Sequence, residues 1–310
     1  MDVIKPMLPN KPRGIPRVDD RRILNGIFWV LRSGAPWRDL PDSYGPPTTC
    51  YNRFVRWRRS SVWDRIMDAL ATVHDAAVQM IDTSIVRVHQ HGACIANNSS
   101  QHMGRSRGGL TSKIHVVVHG NGLPVQLGLT GGQAHDNRLC SVLLRYLPRR
   151  ARLLADRGYD ADWIRAFVTE RGAWANIPPK RNRKDPICFS PYLYRDRNLI
   201  ERFFNKIKQC RRVATRYDKL AANYLAFVKL ACIRLWLRVY ECTALVGRIP
   251  MVLSNACDMK VAIGPSFGFS GCLLMARSRH AQCADEYPLL GASRTLTNRW
   301  LPISIYEYTA

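Results

Sequence analysis

The spacing of hydrophobic positions divides the first quarter of the chain into three short helices. Residues 21–32 carry apolar side chains at helical spacing, and a Ser-Gly-Ala-Pro stretch ends the pattern. A second helical pattern begins near Thr48, and a third covers residues 62–74. Three short helices joined by tight turns, the middle one rich in arginine, predict a small all-α domain of helix-turn-helix type over residues 21–75.

From about residue 78 the hydrophobic period changes, and strands begin to alternate with helices. The predicted strands cover residues 78–88, 114–118, 123–129, 152–156 and 174–177, and the predicted helices cover residues 137–147, 161–171, 194–208 and 224–240. This order is that of a ribonuclease-H-like α/β domain over residues 76–238, with a mixed sheet and helices on both faces. In such a sheet the first and fourth strands lie side by side.

Two aspartates occupy unusual places in the predicted strands. Asp82 lies inside an apolar strand, where a carboxylate is costly unless it is paired, hydrogen-bonded or bound to a metal. Asp156 ends its strand just before a glycine turn, which is where α/β sheets place functional groups. We therefore expect the two side chains to lie close together. The alternative for Asp82 is an edge or strand-end position that faces water.

The predicted helix over residues 194–208 combines an apolar stripe with a row of polar side chains. At about 100° per residue the members of this row fall within about 60° of one another: Tyr194, Arg197, Glu201 and Lys208. A carboxylate among cations can bind a hard metal ion, and the cations can hold phosphate oxygens. The alternative is an amphipathic helix with a solvated polar face.

The charge of the chain points to a polyanionic partner. The 310 residues have a net charge of +24 and a pI near 10.2, which favours nucleic acid. Residues 1–20 form a basic arm. The remaining candidate phosphate contacts lie on the second predicted helix and in the loop over residues 178–186: Arg53, Arg56, Arg58, Arg59, Lys180, Arg181, Arg183 and Lys184.

Composition also limits where the protein acts. No apolar run approaches the roughly 20 residues of a membrane span, no secretory signal is recognisable, and the 10 cysteines lack metal-binding spacing, so we expect a cytoplasmic protein. Residues 239–310 hold 6 Lys+Arg and 5 Asp+Glu, so almost all of the positive charge precedes them. We expect this segment to be a poorly ordered tail, produced by translation past the normal end.

The spacing of the polar row carries a family resemblance. Tyr, two residues, Arg, three residues, Glu, six residues and Lys resembles the signature helix of bacterial DDE transposases of the insertion sequence five type. Residues 28–41, together with the Ile-Asp-Thr around Asp82 and the Ala-Asp-Arg-Gly-Tyr-Asp around Asp156, match the same family in order. The resemblance covers about residues 3–238, the start looks clipped by several residues, and residues 239–310 have no counterpart.

This resemblance implies a transposase that cleaves the ends of an insertion sequence and joins them to target DNA. Three converging carboxylates require cations, so we expect two Mg²⁺ or Mn²⁺ ions at the site. The catalytic and metal-binding residues of the transposase would be Asp82, Asp156 and Glu201. The residues of the helix that contact DNA would be Tyr194, Arg197 and Lys208. The partners would be terminal inverted repeats and target DNA, bound by a homo-oligomer associated with the bacterial nucleoid.

Other interpretations remain open at this point. The chain could be a degenerate transposase that binds DNA without cutting it, or a ribonuclease-H-like nuclease that cuts without joining. A basic structural protein of the ribosomal type fits less well, because 8 Trp and a full α/β pattern exceed what that role needs. Asp136 and Asp160 are lesser site candidates, interpreted as loop or cap residues, and His115 is interpreted as a core or surface histidine.

Overall fold

The computed structural model describes residues 4–9, 19–72, 77–93 and 98–244, so most of the predicted arm and the tail beyond residue 244 lie outside it. The described helices are α1 (Asp20–Ser33), α2 (Pro47–Arg59), α3 (Val62–Ala71), α4 (Cys140–Leu143), α5 (Asp162–Glu170), α6 (Pro191–Tyr194), α7 (Asn198–Lys208), α8 (Arg211–Ala214) and α9 (Ala221–Ala244). The described strands are β1 (Val78–Val88), β2 (Gly104–Ser106), β3 (Gly109–His119), β4 (Pro124–Gly131), β5 (Arg152–Leu154), β6 (Trp174–Asn176) and β7 (Thr215–Arg216).

The first three helices agree with the predicted helical N-terminal region. The Asp19 side chain caps α1 by accepting a hydrogen bond from the Arg21 N–H. The helix ends at Gly34, whose φ of 71° and close approach to the Arg211 side chain favour glycine. Trp57 and Trp63 are fully buried and contribute to the core of this region.

Strand β1 is the centre of a seven-stranded mixed sheet. The order is β2-β3-β1-β5-β6, with β4 beside β3 and β7 beside β1. Strand β1 pairs antiparallel with β3, and it pairs parallel with β5 from Val78 opposite Arg152 to Met80 opposite Leu154. The predicted contact between the strands of Asp82 and Asp156 is therefore confirmed. Strand β2 lies in the stretch that the sequence predicted to be a loop, and β3 begins five residues earlier than predicted.

Helices cover both faces of the sheet. On the first face, Met80, Val116 and Leu154 belong to a core that includes residues of α1–α3, α7 and α9. On the second face, Ile81, Val117 and Leu153 pack with residues of α4 and α5. The mixed ribonuclease-H-like sheet with helices on both faces is thus confirmed.

The core crosses the predicted boundary between residues 75 and 76. The Phe54 ring of α2 stacks on the Phe227 ring of α9 with 4.5 Å between centroids, and Lys229 forms an ion pair with Asp64. Helix α9 also continues to Ala244, beyond the predicted boundary at residue 238. The helical region and the sheet therefore share part of their core.

Two predicted helices differ in the structure. The helix predicted over residues 137–147 consists of a 3₁₀ turn at Asp136–Leu139 and the short α4, which ends at Leu143. The helix predicted over residues 194–208 contains a 3₁₀ turn at Arg195–Arg197, which separates α6 from α7. Among the described residues there is no helix with both the length and the apolar character needed to cross a membrane.

Candidate active site

The pairing of two parallel strands positions Asp82 and Asp156. Met80 and Leu154 are register partners, and each aspartate lies two residues further along its own chain segment. Since side chains alternate along extended backbone, both carboxylates project from the first face of the sheet. Helix α7 packs on that face through buried apolar side chains such as Phe203, and it carries Glu201.

The Arg197 guanidinium joins two of the three predicted catalytic carboxylates. Its Nη2 donates to Asp82 Oδ2 at 2.6 Å and its Nη1 donates to Glu201 Oε1 at 2.8 Å. The side chains of Arg197 and Asp82 are 14% and 16% exposed, whereas that of Glu201 is 56% exposed. The sequence-predicted pair Asp82 and Glu201 therefore meets at a single cation, with Asp82 mostly buried and Glu201 exposed.

The Asp82 carboxylate is destabilised by its surroundings. Burial raises its pKa to about 6, and the charges of Asp156 and Asp136 add to this effect. The Arg197 charge and the Thr83 N–H, which donates to Asp82 Oδ1 at 2.8 Å, oppose the rise without cancelling it. A buried carboxylate whose negative charge remains under-compensated is suited to bind a further cation.

Asp156 serves as a cap in the structure. Its Oδ1 accepts a hydrogen bond from the Gly158 N–H at 3.0 Å, at the start of the 3₁₀ turn Arg157–Tyr159. A Cβ at Gly158 would lie 3.0 Å from the same oxygen, so this close approach favours glycine. Over the described ranges, no three His, Cys, Asp or Glu side chains lie close enough to share a metal ion. The predicted carboxylates thus share one face of the sheet without converging on a point.

Lys208 follows Glu201 along α7 and reaches the same strand. Its Nζ donates to Ser84 Oγ at 2.6 Å and to the Ile85 carbonyl at 3.3 Å, and burial lowers its pKa. Tyr194 instead packs edge-on against Phe189, with 5.5 Å between ring centroids. Arg197, Glu201 and Lys208 therefore line the first face as one row, while Tyr194 stands at its end.

The arginines of α2 have different environments. Arg56 and Arg59 are exposed and line a groove with Asn52, Val55 and Ser60, and Arg58 is half-buried. Arg53 is buried, forms an ion pair with Asp20 and lies 5.3 Å from the Trp57 ring centroid. Arg53 is therefore part of the helix packing, and only its neighbours face outward.

Asp160 anchors the predicted basic loop. Its fully buried carboxylate accepts hydrogen bonds from Arg183, Arg165 and the Lys180 N–H. Burial opposes ionisation of Asp160, but these hydrogen bonds outweigh it and lower the pKa to about 2. Arg183 is thus held inside the loop, and the cations left exposed are Lys180, Arg181 and Lys184.

Behind Asp82 lies Asp136, a lesser candidate from the sequence, together with Thr83 and Lys113, which were not predicted as parts of the site. Thr83 Oγ1 donates to Asp136 Oδ1 at 2.6 Å, and Lys113 Nζ donates to the same oxygen at 2.8 Å. His115 beside them is buried and contacts Thr130 Oγ1, and burial and the Lys113 charge lower its pKa to about 4, as a core histidine requires. A lysine inside the apolar strand β3 was the available signal, because a buried ammonium needs a partner.

Family models match almost the whole described chain. The model "Transposase DDE domain" matches residues 74–236, more than half of the sequence, and the model "Putative transposase of IS4/5 family" matches residues 1–67. The chain belongs to the DDE transposase family. Transposases of this family cleave DNA and transfer the cut strands, and their DDE domains use divalent metal ions.

Individual relatives agree with this assignment. A transposase for insertion sequence element IS6501 from Brucella ovis is 39% identical over 130 residues, which cover 42% of this chain and all of that relative. A transposase for element IS402 from Burkholderia cepacia is 30% identical over 132 residues, covering 39% of this chain and 60% of the relative.

Solved transposase structures show a weaker likeness. The piggyBac transposase synaptic complex with hairpin DNA has a TM-score of 0.46 and 10% identity, covering 80% of this chain and 72% of that chain. The Mos1 mariner paired-end complex with Mn has a TM-score of 0.24 and 13% identity, covering 77% and 82%. The family assignment of this transposase therefore rests on sequence.

Proposed function

We propose that Asp82, Asp156 and Glu201 form the catalytic site of this transposase, which cleaves the terminal inverted repeats of an insertion sequence and joins the ends to target DNA. The observation that carries the proposal is the shared contact of Asp82 and Glu201 with one guanidinium. Two carboxylates from elements distant in sequence have converged on a positive charge, on the face of the sheet that also bears Asp156.

The side chains at this point fit a divalent metal site. Their donors are carboxylate oxygens, which favour Mg²⁺ or Mn²⁺ over softer ions. Asp82 Oδ2 and Glu201 Oε1 already face a common cation, and the raised pKa of Asp82 indicates a carboxylate that more positive charge would stabilise. We infer that Asp82, Asp156 and Glu201 would hold two such ions, and that Arg197 would leave its present position to admit them.

Bound metal ions supply an activated oxygen nucleophile and stabilise the leaving oxygen in an in-line displacement. Hydrolysis forms a bond between phosphorus and a water oxygen, breaks the bond to the 3′ oxygen, and frees a 3′-hydroxyl. That hydroxyl would then attack a phosphodiester of target DNA, forming a new bond from its oxygen to phosphorus, breaking the bond to the target's 3′ oxygen and releasing a 3′-hydroxyl on the target strand. Arg197, once released, and Lys208 would hold phosphate oxygens beside the reacting group.

The DNA would follow exposed cations away from the site. Arg56 and Arg59 on α2 offer one set of phosphate contacts, and the Asp160-anchored loop offers Lys180, Arg181 and Lys184. We leave Arg53 and Arg183 out of the proposed contacts because both are engaged by aspartates. We also propose that the transposase acts as a homo-oligomer on DNA, because an insertion sequence has two ends to be cut and joined to one target.

The test is cleavage of a labelled duplex that carries the element's own ends, with Mg²⁺ and with EDTA. The variants are Asp82→Asn, Asp156→Asn and Glu201→Gln, and the control is Asp162→Asn, which changes an exposed carboxylate that pairs with Arg183. We expect each site variant to abolish cutting while DNA binding is retained, and the control to cut normally.

Each alternative function has its own outcome in this assay. Metal-dependent cutting without joined products would identify a nuclease, and DNA binding without cutting by the unaltered chain would identify a binding-only relic. Substantial cutting by one of the three site variants would remove that residue from the proposed site.

A further inference from the structure

The stretch of β1 that carries Asp82 is supported on one edge only. Strand β5 pairs with β1 as far as Met80, and β7 pairs with it again from Arg87. Between these two points the described strands offer β1 a partner only in β3. A carboxylate on this stretch needs another restraint if it is to keep a fixed direction.

Thr83 supplies a connection through the sheet. Its backbone N–H donates to Asp82 Oδ1 at 2.8 Å on the first face, and its Oγ1 donates to Asp136 Oδ1 at 2.6 Å on the second face. Successive side chains of a strand point to opposite faces, so one residue joins the two carboxylates without bringing them into contact.

Asp136 is itself held in place. Lys113, which is buried in β3, donates from Nζ to Asp136 Oδ1 at 2.8 Å and also to the Ala134 carbonyl. Burial opposes ionisation of Asp136, but the hydrogen bonds from Lys113 and Thr83 lower its pKa overall. Asp136 is therefore a charged, anchored acceptor for the Thr83 hydroxyl rather than a simple loop residue.

We propose that Asp136 is a positioning residue, which acts through Thr83 to hold the Asp82 carboxylate in the direction required for metal binding. This inference rests on the proposed function, because it assigns Asp136 to the support of the metal site. Residues that orient metal ligands in this way change metal affinity or activity by about 10- to 100-fold when they are altered.

The test measures Mn²⁺ affinity by calorimetry or electron paramagnetic resonance, on the full chain with and without donor DNA. Thr83→Val removes the side-chain hydroxyl and keeps the side chain nearly the same shape. Asp136→Ala removes the carboxylate that accepts the hydrogen bond from that hydroxyl. Thr111→Val is the matched control, because it removes another strand hydroxyl whose hydrogen bond goes to the Gly104 carbonyl. Asp82→Asn defines the loss of a direct ligand.

We expect Thr83→Val and Asp136→Ala to weaken Mn²⁺ binding by about tenfold or more, with DNA affinity close to that of the Thr111→Val control. Thr83→Val should also keep the thermal midpoint of that control, whereas Asp136→Ala should lower it, because buried Lys113 loses its carboxylate partner. Excess Mn²⁺ should restore cleavage to Thr83→Val and leave Asp82→Asn inactive. Mn²⁺ affinity equal to that of the unaltered chain in Thr83→Val would overturn the proposal, even if Asp136→Ala failed to fold.

Failure of the proposed function would have a different signature. If the unaltered chain and Asp82→Asn bound Mn²⁺ equally, the metal site itself would be wrong. If Asp82→Asn lost the ion while Thr83→Val and Asp136→Ala kept it, only the positioning role of Asp136 would be refuted.

Discussion

Replacing Asp82 by asparagine should stabilise the fold at the expense of the chemistry. The pKa of Asp82 is about 6 in the folded protein, compared with 3.8 for an ordinary aspartate. A difference of about two pH units corresponds to about 3 kcal/mol between the ionised and neutral forms. The attraction of Arg197 is already included in this value. Asp82→Asn, which mimics the neutral form, should therefore raise the free energy of unfolding by up to about 3 kcal/mol.

The stability gained by Asp82→Asn should increase with pH. Because the folded protein binds the Asp82 proton more tightly than the unfolded chain, ionised Asp82 destabilises the fold above about pH 6. As the pH falls from about 6 to 3.8 this destabilisation disappears, because Asp82 becomes protonated in both the folded and the unfolded protein. The advantage of Asp82→Asn should thus be full at about pH 8 and absent below about pH 4.

Urea unfolding followed by tryptophan fluorescence measures this effect at both pH values. Glu201→Gln is the control, because it alters the other partner of Arg197 at an exposed position and should change stability by no more than about 0.5 kcal/mol. Saturating Mg²⁺ should stabilise the unaltered chain and not Asp82→Asn. A gain that is missing at about pH 8, or that is equal at both pH values, would refute the reasoning.

Three further outcomes are expected. Arg197→Gln should tighten Mn²⁺ binding in the absence of DNA by about tenfold, because the ion no longer competes with a guanidinium, and titration calorimetry would detect this. Asp160→Asn should cost about 3–5 kcal/mol in urea unfolding, since two arginines lose a buried partner, whereas Asp162→Asn, at 89% side-chain exposure, should cost under about 0.5 kcal/mol. Arg56→Ala with Arg59→Ala should lower the salt dependence of DNA binding by about two phosphate contacts, and an unchanged slope would exclude α2 from the interface.

Sequence pattern was sufficient for the parts of the site that local rules control. Strand alternation and parallel pairing put Asp82 and Asp156 on one face, and helical spacing put Glu201 and Lys208 on one row. The 3₁₀ turn before α7 leaves this row largely intact, since Arg197 still reaches Glu201 four residues later.

Tertiary contacts explain what the pattern could not provide. Arg53 and Arg56 are arginines of the same helix, so the sequence alone does not distinguish their roles. The fold brings Asp20, 33 residues away in the chain, into contact with Arg53. The contact between Arg197 and Asp82 spans 115 residues, and that between Thr83 and Asp136 spans 53. A single sequence shows that charged residues exist and does not show which of them neutralise one another.

The shared core of α2 and α9 sets the distance between the arginine groove on α2 and Asp82 on β1. Phe54 stacks on Phe227 of α9, and both belong to the core that also includes Met80 of β1, so packing connects the arginine groove to the strand that carries Asp82. A duplex held by Arg56 and Arg59 would pass Asp82 at a fixed distance from these contacts. The distance between the recognised bases and the cut would then be set by the fold. Base pairs inserted between them would leave that distance unchanged, so a different phosphodiester would be cut.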